Sequence, residues 1–160
     1  MTRVLYPGSF DPITKGHMNI VKQASELFDE VIIAIQQNPK KNPMFTLQER
    51  LKIISELYKH NDNIKVVIGS GATVDIAILY ECKAIVRGLR SLTDYDYEVQ
   101  MQQINKDISN NQVNTICLFA DKEFQFISSS MVKEIFTLGK DISSYVDEKI
   151  ERKLIMKRGN

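Results

Sequence analysis

The 160-residue chain has no tryptophan, and only two cysteines, two histidines and four prolines. Cys82 and Cys117 lie far apart and form no C-x-x-C pair. That argues against a disulfide framework or a zinc site and fits a reducing compartment, the cytoplasm. No charge of one sign dominates: 21 Lys and Arg stand against 20 Asp and Glu, a net +1. Nothing global therefore points to nucleic acid or an anionic membrane as partner, and any anion site must be local. No apolar run approaches the ~20 residues of a membrane helix. The N-terminus lacks the charged-then-apolar pattern of a signal peptide.

What is there is the composition of an ordinary globular protein, with 43% apolar and 26% charged residues. The length suits one domain over residues 1–160. Short apolar runs alternate with helical periodicity from end to end. The strand-like runs are Arg3–Tyr6, Val31–Ile35, Ile64–Ile68, Ala84–Arg87 and Thr115–Phe119. Each is apolar on successive residues, as when both faces of a parallel strand are covered. Helical spacing covers His17–Phe28, then a segment opened by Thr46 and Glu49 as a capping box, then Val74–Cys82 and Tyr95–Ile108. Val132–Leu138, stopped by Gly139, and Ile142–Met156 are C-terminal helices. The expected fold is α/β: one doubly wound, Rossmann-like domain with a five-stranded parallel sheet. Ligands in such sheets bind beyond the carboxyl ends of the strands, at the switch point.

Four loops at that rim carry unusual chemistry. "YPGSFDPITKGH", residues 6–17, joins the first strand to the first helix. Gly8 and Gly16 permit close backbone approach. His17 stands at a helix start, where free N–H groups and the dipole favour an anion; its plainer reading is that it merely begins a helix. The stretch matches neither G-x-G-x-x-G nor the P-loop. "QQNPKKNPMF", residues 36–45, places Lys40 and Lys41 between two prolines, either for an anion or as a solvated basic loop. "IVRGLRS", residues 85–91, ends a buried strand in Arg87 and places Arg90 after a glycine, Gly88. Those arginines suit phosphate oxygens or a structural ion pair. The acids of "DYDYE" complement a helix start. "FQFISSSMVKE", residues 124–134, offers more serines than one helix cap needs. Lys133 reads as a surface residue.

Together "YPGSFDPITKGH", "NPMFTLQER", "VRGLRSLTDYDYE" and "FISSSMVKE" resemble the bacterial phosphopantetheine adenylyltransferases along nearly the whole chain, in order. "TKGH" resembles the T/H-x-G-H signature of the wider nucleotidyltransferase superfamily, and "ISSS" its I-S-S-T/S partner. The resemblance implies reversible adenylyl transfer from ATP to 4′-phosphopantetheine, giving 3′-dephospho-coenzyme A and pyrophosphate. It implies Mg²⁺ bound mainly through the nucleotide phosphates, feedback inhibition by coenzyme A, and a homohexamer.

It implies roles by position. His17 is the transition-state stabiliser, with Lys41 and Arg90 beside it as catalytic groups. Ser9, Phe10, His17, Gly88, Leu89, Arg90 and Glu98 contact ATP, as does the run Phe124, Gln125, Phe126, Ile127, Ser128, Ser129 and Ser130. Ser9, Lys41, Thr73 and Arg87 contact the acceptor. Relatives often carry threonine at the Ser9 position and tryptophan or tyrosine near Phe124. Three rivals stand beside this reading: a nucleotidyltransferase of the same fold with another acceptor, a non-catalytic nucleotide-sensing module, and a nucleic-acid-binding fragment resembling class I tRNA synthetases, against which the balanced charge speaks.

Overall fold

The computed structural model describes residues 1–40 and 42–159, so Lys41 and Asn160 fall outside the description. Five parallel strands, β1 (Arg3–Gly8), β2 (Glu30–Ile35), β3 (Ile64–Ile68), β4 (Ala84–Leu89) and β5 (Asn114–Phe119), form one sheet in the order β3-β2-β1-β4-β5. Helices α1 (Lys15–Leu27), α2 (Leu47–Leu57), α3 (Thr73–Leu79) and α4 (Leu92–Ile108) link them in turn. Helices α5 (Ser129–Thr137) and α6 (Glu148–Arg158) follow the last strand.

The near-continuous apolar runs sort by alternation onto two faces, because successive strand side chains point oppositely. Val4, Tyr6, Val31, Ile33, Ile35 and Val86 join a core completed by α1, α2, α5 and α6. Leu5, Ile32, Ala34 and Ile85 join a second core with Val74, Ile76 and Ala77 of α3. Both faces are covered at β1, β2 and β4, whereas the edge strands are barer: β5 has no fully buried residue and β3 only Val67.

The sheet splits at its switch point. β1 pairs with β2 as far as Gly8↔Ile35, and β4 pairs with β5 as far as Leu89↔Phe119. The ladder between β1 and β4 contains only Val4↔Ala84 and Leu5↔Ile85. Beyond Leu5 the two central strands part, and the crevice expected at the reversal of strand order opens between them.

The last helix begins later than its spacing predicts. Ile142, Val146, Ile150 and Leu154 recur every fourth residue and all are buried, which reads as one helix from Ile142. Asp141 instead accepts the Ser143 N–H at 2.9 Å and the Ser143 hydroxyl, holding a local turn. Asp147 then caps α6 by accepting the Lys149 N–H.

Candidate active site

His17 is held by the first turn of α1. Thr14 is the N-cap: its hydroxyl accepts the His17 N–H, and its own backbone N–H donates to His17 Nδ1 at 3.0 Å. The capping box thus uses an imidazole where glutamate is usual. The bond also sets the tautomer. Nδ1 must be an unprotonated acceptor, so the ring proton sits on Nε2 and is free to donate. Burial, reinforced by the Arg90 and Arg87 charges, lowers the His17 pKa to about 4. The ring is neutral at pH 7.

Phe10 fixes that ring from one side. It adopts φ 48°, a left-handed conformation that costs a non-glycine residue of order 1 kcal/mol. Its side chain is buried edge-on against both Tyr6 and His17, with centroids 5.3 and 5.1 Å away. Further along α1 the helix needs glycine for contact: a Cβ on Gly88 would lie 2.9 Å from Ile20 Cγ1. The small residue after Arg87 therefore brings α1, and His17 with it, against β4.

Three adjoining cavities open at this end of the sheet, and His17 lines two of them. The first, ≈ 200 Å³, includes Ser9, Phe10, His17, Arg90 and Ser128–Ser130 in its wall. The second, ≈ 380 Å³, includes Ser9, Thr73, Arg87 and Glu98. The third, ≈ 170 Å³, lies in the split between β1 and β4 and holds His17, Arg87, Gly88 and Arg90. Ser9 is shared by the first and second, Arg87 by the second and third, and His17 and Arg90 by the first and third, so the three join as one cleft.

Arg87 and Glu98 form a pair across the second cavity, with Arg87 Nη2 and Nε 2.7 and 2.8 Å from Glu98 Oε1. Burial opposes the Arg87 charge, but the Glu98 carboxylate outweighs it and holds the Arg87 pKa above its usual value. Glu98 thus stands with Thr73 and Arg87 rather than beside Arg90. Arg90 reaches the other way, donating from Nη1 to Ile127 O at 3.2 Å. In "ISSS", Ser128 is the α5 cap and accepts the Met131 N–H. Ser129 donates to Pro12 O at 2.8 Å, and Ser130 is exposed in the cavity wall.

Not every expected residue converges. Leu89 is buried, Phe126 is 85% exposed, and neither they nor Phe124 and Gln125 line these three cavities. Lys41 lies outside the described residues.

Two residues passed over in the sequence join the cleft, and one is corrected. Lys133 is no surface residue: it pairs with Asp11 and lines the first cavity. Asp11 also accepts the Met44 and Phe45 N–H groups, each at 2.8 Å, tying the first loop to the second. Arg50 lines the same cavity from α2, only 3% exposed. Arg50 closes the stretch "NPMFTLQER", but its ordinary helical position gave no hint of a role in the cleft. Lys133 had one: it lies four residues after Ser129, one turn on and over the same helix end.

The geometry is that of a cleft able to bind anions. Cations and a helix N-terminus converge from several elements, and a neutral N–H donor lies between. Among the described residues no three His, Cys, Asp or Glu side chains gather as a metal cluster.

Comparison with known proteins agrees. The cytidylyltransferase-like family model matches residues 5–135. The phosphopantetheine adenylyltransferase of Finegoldia magna is 45% identical over 93% of this chain and 91% of its own. That of Heliobacterium modesticaldum is 42% identical over 100% of this chain and 95% of its own. A crystal structure from Vibrio parahaemolyticus, provisionally a nicotinate-nucleotide adenylyltransferase, shares the fold with a TM-score of 0.72. It is 17% identical, covering 99% of this chain and 94% of that one. With a family model across most of its length and relatives of this identity and coverage, the chain belongs to the phosphopantetheine adenylyltransferases, enzymes of the cytidylyltransferase-like nucleotidyltransferase group.

Proposed function

We propose that the chain transfers the adenylyl group of ATP to 4′-phosphopantetheine, reversibly, forming 3′-dephospho-coenzyme A and releasing pyrophosphate. One observation carries the reading: a neutral His17 with Nε2–H free lines both the first cavity, with Arg90 and Lys133, and the third, with Arg87, which opens in turn on the second. The acceptor phosphate supplies the attacking oxygen. A bond forms from it to the α-phosphorus as the bond from the α-phosphorus to the pyrophosphate oxygen breaks. No protein nucleophile and no covalent intermediate are needed.

The first cavity takes the nucleotide phosphates against Ser9, Arg90 and the start of α5. The second takes the acceptor, its phosphate directed to Arg87 and its arm toward Thr73. The assignment of Lys41 to the acceptor rests on sequence resemblance alone. His17 Nε2–H donates to the α-phosphate oxygens as charge develops on them, a preorganised donor that needs no reorientation. Positioning and charge neutralisation supply the rate enhancement.

Mg²⁺ belongs to the same proposal. The only carboxylate on the first cavity wall among the described residues is Asp11, committed to Lys133 and two backbone N–H groups. That donor set fits an ion held through phosphate oxygens, where it would neutralise polyphosphate charge. A cytoplasmic homohexamer inhibited by coenzyme A completes the reading. Exposed Leu92, Tyr95, Ile104 and Ile108 of α4, with Phe119 on the edge strand, support self-association.

The test is incubation with ATP, Mg²⁺ and each candidate acceptor, scored by pyrophosphate release. Phosphopantetheine should turn over, while nicotinate mononucleotide and glycerol phosphate should not. Turnover of either alternative with none of phosphopantetheine would replace the acceptor assignment.

A further inference from the structure

Arg50 has no carboxylate partner among the described residues. Arg87 is paired with Glu98, Arg90 with Asp94, and Lys133 with Asp11. Arg50, the most enclosed of these cations, donates only to backbone carbonyls: Nε to Phe45 O at 3.0 Å and Nη1 to Ser9 O at 2.7 Å. Its Nη2 bonds to no described residue. Among the described residues the fully enclosed side-chain polar atoms that lack a partner are Tyr58 Oη and Thr115 Oγ1, so Nη2 is not one of them. Arg50 forms part of the first cavity wall, alongside Ser9, Arg90 and Lys133.

A buried, unpaired charge is costly, and proteins normally compensate it. Here burial lowers the Arg50 pKa, and the Asp11 charge offsets only part of that. Asp11 itself is fully engaged elsewhere. The carbonyl bonds fix the guanidinium plane and leave one edge without an acceptor. A planar fork with a free edge suits two phosphate oxygens.

We propose that Arg50 is a polyphosphate-binding residue of this active site, its unpaired Nη2 edge completed by the bound anion. The inference rests on the functional reading above and adds a residue that neither motif contains. The anion supplies the counter-charge that the protein withholds, while the bonds to Ser9 O and Phe45 O hold the two loops at the distance the ligand requires.

The experiment uses inorganic tripolyphosphate as probe, measured by calorimetry on the full chain, with phosphopantetheine binding measured in parallel. Arg50→Gln should weaken tripolyphosphate roughly tenfold to a hundredfold, the range of one charged hydrogen-bonding contact. Arg50→Lys should recover only part of that. Phosphopantetheine affinity should change less than threefold. An equal loss of both ligands would make Arg50 a structural strut and overturn the proposal. So would a variant that binds tripolyphosphate as wild type does, or a wild type that does not bind it. If Arg50→Gln fails to fold, the folded Arg50→Lys protein decides by the same comparison. Wild-type tripolyphosphate binding without phosphopantetheine turnover would sink the acceptor assignment and leave Arg50 standing.

Discussion

Acidification from pH 7 to pH 4 is expected to destabilise the wild-type chain by about 3 kcal/mol more than a His17→Asn variant. The cause is linkage. His17 has a folded-state pKa of about 4 against an ordinary 6.5. The unfolded chain therefore takes up a proton that the folded chain resists. The contribution is fully present above 6.5 and falls away as pH drops toward the folded value. Integrated to pH 4 it amounts to about 3 kcal/mol, with somewhat over half gone near pH 5. Asparagine does not titrate, and its amide oxygen can still accept the Thr14 N–H. Urea unfolding of both proteins at pH 7, 5 and 4 isolates the term, because the carboxylates common to both cancel in the difference. A wild-type-minus-variant difference that moves by less than about 0.5 kcal/mol would show that His17 is not held neutral. Nitrogen chemical shifts should independently report the Nε2–H tautomer at pH 7.

His17→Ala should fold and lose roughly 10²–10³ in turnover with little change in substrate affinity, the usual cost of one preorganised donor; steady-state kinetics reads both. Arg87→Ala should weaken phosphopantetheine binding and also cost of order 2 kcal/mol of stability by stranding Glu98. The value sits below that of a fully buried pair because the Arg87 side chain is 32% exposed. Adding Glu98→Gln should restore the stability but not the affinity, as melting and calorimetry would report. Ser128→Ala should cost about 1 kcal/mol as a lost cap. Ser130→Ala should leave the melting temperature alone and shrink the shift induced by ATP, since the Ser130 hydroxyl has no hydrogen-bond partner among the described residues.

All five expected runs fall within observed strands; burial on both faces explains the apolar runs of β1, β2 and β4, while the edge strands β3 and β5 read as strands although they are largely not buried. Thr46 and Glu49 were legible as a capping box because the motif is local. The same local logic missed His17 as the box partner of Thr14, since the pattern looks for glutamate or glutamine. Ile142–Val146 misled because burial every four residues is written identically by a helix and by a buried turn leading into one. Arg50 and Asp11 were illegible for a different reason. Their meaning lies in partners 34 and 41 residues away, across loops that no periodicity connects. The resemblance to a known family pointed to the cleft, but sequence could not say that Glu98 stands with Arg87, because that depends on which face of the sheet each residue takes.

That last point explains why two substrates can meet here. Ile85 belongs to the core on the α3 side and Val86 to the core on the α1 side. Alternation then sends Arg87 to the α3 side, where it finds Glu98 of α4, and turns Gly88 toward α1, where Ile20 closes on it. Arg90 lies past the strand end and swings to Ile127, ahead of α5. Under the proposed function, acceptor and nucleotide therefore enter from opposite faces of one sheet. In an intact ladder the hydrogen-bonded backbone would stand between them. The early parting of β1 and β4 after Leu5 removes that barrier, and His17, carried against Gly88 by α1, occupies the gap. A single turn of register that extended the β1–β4 ladder would leave both cavities in place and the reacting atoms separated.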